Sequence, residues 1–298
     1  MNRSYQLCAK QVDVRGGLGR RVEFVVYDDQ SQPQSGASLR EADHAGQSDA
    51  VMGPYSSAIS EAVANVSEKY RLPMVAPMVS STSIFKKGRK FIMVQSPAEG
   101  YSRAWSTGPR SPRRRSRGRS NWPRRGASRS SSTKPAHGQH RLSALLVQVR
   151  AANPDVLGAA TYFDDAMALT RQMNGLNVNP KMYGAAGGDL PKFYERLGKN
   201  AEFGYGSDAV TARATPSGVG EFVEVYDRGF PGFDHSYHSA GGYAGGQVLV
   251  EAIRKAGSLD GEKIREAILT SDAMTVYGEF KVDEEGFHVA RKMVTFQW

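Results

Sequence analysis

VMGPYSS at Val51–Ser57 and LPMVAPMVSST at Leu72–Thr82 decide the fold of this chain. Each opens on a short apolar run and closes on small hydroxyl residues. Between them Ile59, Val63, Val66 and Tyr70 recur at helical spacing, which predicts an amphipathic crossover helix. Strand, helix and strand make one βαβ unit of a parallel sheet. Ligands of such sheets gather beyond the carboxyl ends of the strands, where loops and helix N-termini present N–H groups. Ser56–Ser57 and Ser80–Ser81–Thr82 fall there. Short hydroxyls beside unbonded amides suit a carboxylate. The competing expectation is that these serines only cap the helices that follow.

Outward from this unit the same alternation continues. Ser4–Val14 carries a weak helical pattern that GGLG at Gly16–Gly19 stops, and Val22–Tyr27 is an apolar run expected of a strand covered on both faces. Asp28 and Asp29 follow it as loop or cap acids. Ser38–Ala45 reads as a polar helix, Ser83–Ile84–Phe85 with KKGRK as a surface turn, and Phe91–Val94 as a strand. Beyond Leu142 come helices over Leu142–Val149, Asp164–Met173, Leu190–Leu197, Val219–Tyr226, His235–Ala256 and Asp260–Leu269. Strands are expected near Val156, over Lys181–Ala185 and Tyr205–Ala212, and on either side of a turn at Asp283–Gly286. Gly241, Gly242, Gly245 and Gly246 in the long helix predict close packing. Alternating strands and helices make the class α/β.

Ala104–Arg141 breaks the texture. It holds ten arginines, one lysine and no acid, a local +11 that leaves the other 260 residues at −2 within a net +9. Almost no aliphatic residue lies in it, so it cannot offset chain entropy by burial and is expected to be disordered. Charge alone suggests a nucleic-acid partner. Only Trp105 and Trp122 could stack on bases, and no recognised binding motif accompanies them, so no nucleic-acid partner is expected.

Enzyme chemistry finds little support. Gly17-Leu-Gly19 lacks the third glycine and preceding strand of a dinucleotide fingerprint, and there is no P-loop or G-x-S-x-G. His235 and His238 have helical i, i+3 spacing, but no further His or Cys is near in sequence, so they read as surface or cap histidines. Asp28–Asp29 and Asp164–Asp165 could pair as acid and base, yet the second pair opens a helix, where carboxylates suit the dipole. No catalytic residue, metal or cofactor is implied. The single Cys8 excludes an internal disulfide, and no apolar run approaches the ~20 residues that span a bilayer.

VEFVVYDDQS, VMGPYSS, EKYRLPMVAP, SALLVQVRAANPDVL, YFDDAMALTRQM, YHSAGGYAGGQVL and VYGEFKVDEEG, in that order, resemble the branched-chain amino-acid family of bacterial solute-binding proteins. The likeness covers Tyr5–Arg103 and Leu142–Trp298. It implies the type I periplasmic binding fold: two α/β lobes joined by three crossings, closing on a solute. The lobes are expected over 1–97 with 213–272, and over 98–212 with 273–298, the second incomplete because 104–141 stands in place of a strand, helix and strand. By resemblance Ser57 is a carboxylate anchor, and Met78 and Ser80 are neighbouring backbone and hydroxyl contacts. Tyr162 and Phe163 form an aromatic wall. The acid that would meet a ligand amine corresponds to Ala186, with Asp189 as its substitute. The family implies a small amino acid, amide or carboxylate as solute, a membrane permease as partner, a monomer, and an extracytoplasmic location. A sensor or regulator domain of the same fold is the alternative.

Further departures are expected to matter. Met1 leads directly into MNRSYQLCAKQ with no signal-peptide pattern or first strand, and the chain stops at FQW, slightly short of the family's usual end. The texture of 104–141 predicts out-of-frame translation between two compensating frameshifts. Resequencing the gene checks this: a confirmed uninterrupted frame encoding RSPRRRSRGRS refutes it.

Overall fold

Periodicity and breakers place most elements where the residues demand them. A computed structural model describes residues 1–45, 48–87, 92–94, 97, 142–208, 218–290 and 293–298. The segment expected to be disordered, 104–141, and the second half of the stretch 205–212 lie outside the described residues. The first elements are α1 (Asn2–Val14), α2 (Pro33–Ala45), β1 (Val51–Met52), α3 (Ser57–Lys69), β2 (Met74–Ala76) and β3 (Ile92–Met93). Next come α4 (Ser143–Ala152), β4 (Val156–Ala159), α5 (Phe163–Gly175), β5 (Met182–Ala185), α6 (Pro191–Leu197) and β6 (Tyr205–Asp208). The last are α7 (Val219–Gly229), α8 (Tyr237–Ala256), α9 (Gly261–Leu269), β7 (Ala273–Thr275), β8 (Gly278–Phe280) and β9 (Val294–Gln297).

Two compact units result: unit 1 is Met1–Gly100 with Ala209–Met293, and unit 2 is Tyr101–Asp208 with Val294–Trp298. Residues 273–293, expected in the second lobe, therefore fall in unit 1. Their side chains give the reason: Val276, Tyr277, Phe280 and Val282 are buried in the same core cluster as Leu7 and Cys8 of α1 and Val248 of α8.

In unit 1 the sheet order is β1-β2-β3, all parallel, with Val51 opposite Met74 and Val75 opposite Ile92. Every residue of β2 is buried, as a central parallel strand requires. Its side chains alternate between two cores: Val75 joins the α1–α8 cluster, while Met74 and Ala76 join Ile59, Val63 and Ala64 of α3. The glycines of α8 work as their spacing predicts. A Cβ on Gly246 would lie 2.6 Å from the Cys8 sulfur, and one on Gly245 would lie 2.6 Å from Pro77. Cys8 is thus a packed core thiol, its pKa pushed up to about 12 mainly by burial. Asp260 caps α9 by accepting from the Lys263 N–H at 3.0 Å, which satisfies one orphan donor of that helix.

Two local expectations fail in unit 1. Ile84 and Phe85, read as a surface turn, are buried, because the 3-10 turn Thr82–Lys87 folds them against Ile59 and Val63. Val22–Tyr27, read as a strand, pairs with no strand among the described residues. Val25, Val26 and Tyr27 remain 53%, 44% and 48% exposed. An apolar run suits a sheet, but only a neighbouring backbone makes it a strand. Here a slot of about 1350 Å³ lies between this run and β1.

Unit 2 has the strand order β4-β5-β6-β9, the first three parallel and β9 antiparallel to β6. Leu142, Leu146, Met167, Leu169, Met173, Phe193 and Leu197 build its core from α4, α5 and α6. Among the described residues no helix is long and apolar enough to cross a membrane.

Candidate functional site

Unit 1 delivers its candidate residues from two adjacent strand ends. β1 runs into Gly53-Pro54-Tyr55-Ser56, and α3 starts at Ser57. Gly53 permits this tight exit, since a Cβ there would lie 3.1 Å from the Ala76 Cα of the neighbouring strand. Ser56 holds the N-cap backbone position at φ −81°, ψ 137°, yet makes no side-chain cap hydrogen bond. The loop is tied instead by Ser60, whose hydroxyl donates to Pro54 O at 3.1 Å, and by Tyr5, whose phenol donates to Gly53 O at 2.9 Å. The expectation that these serines are spent on capping therefore fails at the first cluster.

After β2, the Met78 side chain is 4% exposed and turned into the core, where its sulfur would lie 2.6 Å from a Cβ on Gly241. Only its backbone can serve a ligand. Ser80 follows, half-buried, while the Ser81 and Ser83 hydroxyls bond to each other at 2.7 Å. Ser57, Met78 and Ser80 thus all follow the carboxyl ends of paired parallel strands.

An aromatic group beside GPYSS escaped sequence reasoning. The Tyr55 ring centroid lies 4.9 Å from that of His238, and Tyr237 lies 3.9 Å from it on the same helix. His238, read as a surface or cap residue, is half-buried against these rings, and desolvation, helped by the nearby Met1 ammonium, lowers its pKa to about 4. α8 begins at Tyr237, with Ser236 and Ser239 forming a capping box, so His235 lies outside the helix. Its Nδ1 meets Asp227 Oδ1 at 3.0 Å. The two histidines hence share no helix face as ligands. Among the described residues no cluster of three or more His, Cys, Asp or Glu could hold a metal.

His238 carries a pH prediction. Its imidazole is neutral in the fold, so its contribution to stability is complete above the ordinary histidine range of about 6.5. That contribution is lost as pH falls toward about 4. Thermal melts between pH 7 and 4 should show a loss that His238→Phe flattens. Identical pH slopes in both proteins would remove His238 as a source.

Unit 2 brings its candidates together around one glycine. Tyr162 holds the N-cap position of α5 at φ −90°, ψ 173° and is 36% exposed. Phe163 opens the helix, with the Arg196 guanidinium carbon 5.6 Å from its ring centroid. Thr161 donates to Ala186 O at 2.7 Å, which joins the loops after β4 and β5. Gly187 has φ +81°, and a Cβ on it would lie 2.7 Å from both the Phe163 N and the Tyr162 carbonyl carbon. Asp189, 8% exposed, ends this loop ahead of α6. The Trp298 indole N–H donates to Gly188 O at 2.7 Å, and its ring stacks on Tyr194 at 5.7 Å. Gly187, Thr161 and Trp298 were not foreseen, although the Gly187–Gly188 pair was a visible signal of close backbone approach.

The paired acids take ordinary structural places. Asp28 and Asp29 each accept from a backbone N–H two residues on, Gln30 at 2.9 Å and Ser31 at 2.7 Å, an ordinary loop role. Asp164 and Asp165 occupy the first turn of α5, where carboxylates complement the dipole.

Comparison with known proteins places these halves in context. The sequence profile described as "Periplasmic binding protein" matches residues 1–106 and 122–298. The Leu/Ile/Val-binding protein homolog 7 of Brucella suis biovar 1 is 29% identical over 168 residues, covering 53% of this chain and 42% of that protein. The homolog 7 of Brucella melitensis biotype 1 is 30% identical over 170 residues, with the same coverage. The chain thus spans about two fifths of the length of these curated relatives. A leucine-binding protein from Thermotoga maritima superposes with a TM-score of 0.78 at 25% identity, covering 99% of this chain and 90% of that one. A branched-chain amino acid transporter substrate-binding protein from Streptococcus pneumoniae, in complex with isoleucine, gives 0.79 at 16% identity, with 99% and 94% covered. A solute-binding protein from R. palustris in complex with benzoate gives 0.75 at 15% identity, with 99% and 90% covered. The chain has the type I periplasmic binding fold and belongs to the periplasmic binding protein family.

Proposed function

We propose that this chain is the extracytoplasmic solute-binding subunit of an ABC importer, acting as a monomer on a small amino acid, amide or carboxylate without chemistry. The observation that carries the reading is the pair of half-buried serines, Ser57 and Ser80, after adjacent parallel strands, beside an α3 N-terminus that no serine side chain caps. Uncapped amides and hydroxyls favour a carboxylate there. The ligands named for three structural neighbours, isoleucine, benzoate and 3,4-dihydroxybenzoic acid, differ in size and polarity but share a carboxyl group. Tyr162 and Phe163 supply the aromatic wall, and Asp189 is the acid at hand for a ligand amine. Binding biases a closed population that a membrane permease reads. Removing both hydroxyls, Ser57→Ala with Ser80→Ala, should weaken carboxylate binding by about 1–3 kcal/mol. Titration calorimetry reads this directly; unchanged affinity in the double variant sinks the anchor assignment.

A further inference from the structure

α3 buries two serines on one face. Ser60 and Ser67 are 0% and 1% exposed, and their spacing of two helical turns points both the same way. Around them that face is apolar, with Ile59, Val63 and Ala64 packed on Met74 and Ala76 of β2. A buried hydroxyl needs a partner, and inside a helix the usual one is the carbonyl four residues back. Thr170 of α5 takes that choice, donating to Ala166 O at 2.8 Å. Ser60 does not. It donates to Pro54 O at 3.1 Å, six residues back and outside the helix, while its N–H takes the Ser56 carbonyl at 2.8 Å. Ser67 reaches the Met74 sulfur at 3.9 Å, a weak acceptor.

The Ser60 bond fixes more than one oxygen. A peptide is planar and trans, so holding Pro54 O sets the plane of the Pro54–Tyr55 peptide. The proline ring fixes φ at Pro54 itself, and Gly53 before it is held by its N–H on Val75 O at 2.7 Å. The chain is therefore pinned at the end of β1 and again from within α3, with half-buried Ser57 between the pins. We infer that Ser60 is a positioning residue of the proposed carboxylate site. Fully buried, it touches no solute; by holding Pro54 O it sets where the Ser57 hydroxyl and the first amides of α3 stand. The inference rests on the solute-binding reading, in which Ser57 is the anchor.

The test compares Ser60→Ala with Ser67→Ala in the full chain, by calorimetric titration with L-leucine and with benzoate, each beside its methyl ester. Both substitutions remove one buried hydroxyl from the same helix face and introduce a better helix former, so both variants should fold. Ser60→Ala should bind the acid at least about fivefold more weakly and lose most of the preference for acid over ester. Ser67→Ala should keep both, whereas a merely structural serine would lower the two variants alike and leave the acid-to-ester ratio unmoved. Hydrogen exchange over residues 53–58, read by mass spectrometry, needs no solute: Ser60→Ala should speed it and Ser67→Ala should not. Unaltered affinity and ratio in Ser60→Ala, or equal losses in the two variants, overturn the positioning role and leave the solute reading standing. Unchanged exchange in Ser60→Ala overturns the tie itself. Failure of the unaltered chain to bind either acid overturns the solute reading and the positioning role with it.

Discussion

Gly187→Ala is expected to weaken solute binding at least about tenfold, the effect of roughly 1.4 kcal/mol. Its φ of +81° is a conformation that an L side chain adopts only with strain of about 1–3 kcal/mol. The added carbon would also stand 2.7 Å from two backbone atoms of Tyr162 and Phe163. Backbone cannot rotate out of the way as a side chain can. Either the Ala186–Asp189 loop lifts or the start of α5 moves, and in both cases Tyr162 and Asp189, the two groups proposed to meet the solute, part company. Gly175→Ala is the control: it closes the same helix, and a Cβ there meets nothing within 4 Å. Calorimetric titration of both variants should show loss in the first and wild-type affinity in the second. Wild-type affinity in Gly187→Ala would show that the loop does not bear on the ligand.

Phe193→Ala should destabilise unit 2 by about 3–5 kcal/mol, the range for truncating a buried aromatic ring. Phe193 is 2% exposed within the cluster of Leu146, Met167 and Leu197. Its ring tip lies 3.5 Å from where a Gly188 Cβ would stand, so the same ring floors the Ala186–Asp189 loop. Among the described residues of unit 2 Phe193 is the only aromatic ring in the buried cluster, and a cavity there cannot collapse without moving that loop. Denaturant unfolding followed by far-UV circular dichroism reads the loss. A change below about 1 kcal/mol would mean that the α6 packing described above is wrong.

How much of this was legible in the residues depends on whether the information is local. The opening βαβ unit was readable because Ile59, Val63 and Val66 set a helical period between two apolar runs, and the structure returns it as β1, α3 and β2. The glycines of α8 were readable because four of them on one helix serve close packing. Val22–Tyr27 was misread because pairing is a property of two chains of backbone, and composition reports one. Residues 273–293 were misassigned because the sheet they follow in sequence differs from the core they enter, through Val276, Tyr277 and Phe280. His238 gave no sign of burial, since its partner Tyr55 is 183 positions away in sequence and a lone histidine carries no pattern. The serines were placed correctly at strand ends, but only the absence of a Ser56 cap bond separates a ligand surface from a helix start.

The most direct test is a thermal melt of the full chain against leucine, isoleucine, valine, their amides and methyl esters, and benzoate. Mass action predicts that a cognate solute stabilises the fold, by about 2.7 kcal/mol at a hundred times its dissociation constant. The carboxylate account predicts that at least one acid raises the melting temperature in proportion to the logarithm of its concentration, and that its ester does so less. Melting temperatures unmoved by every compound, or an ester as effective as its acid, would contradict it.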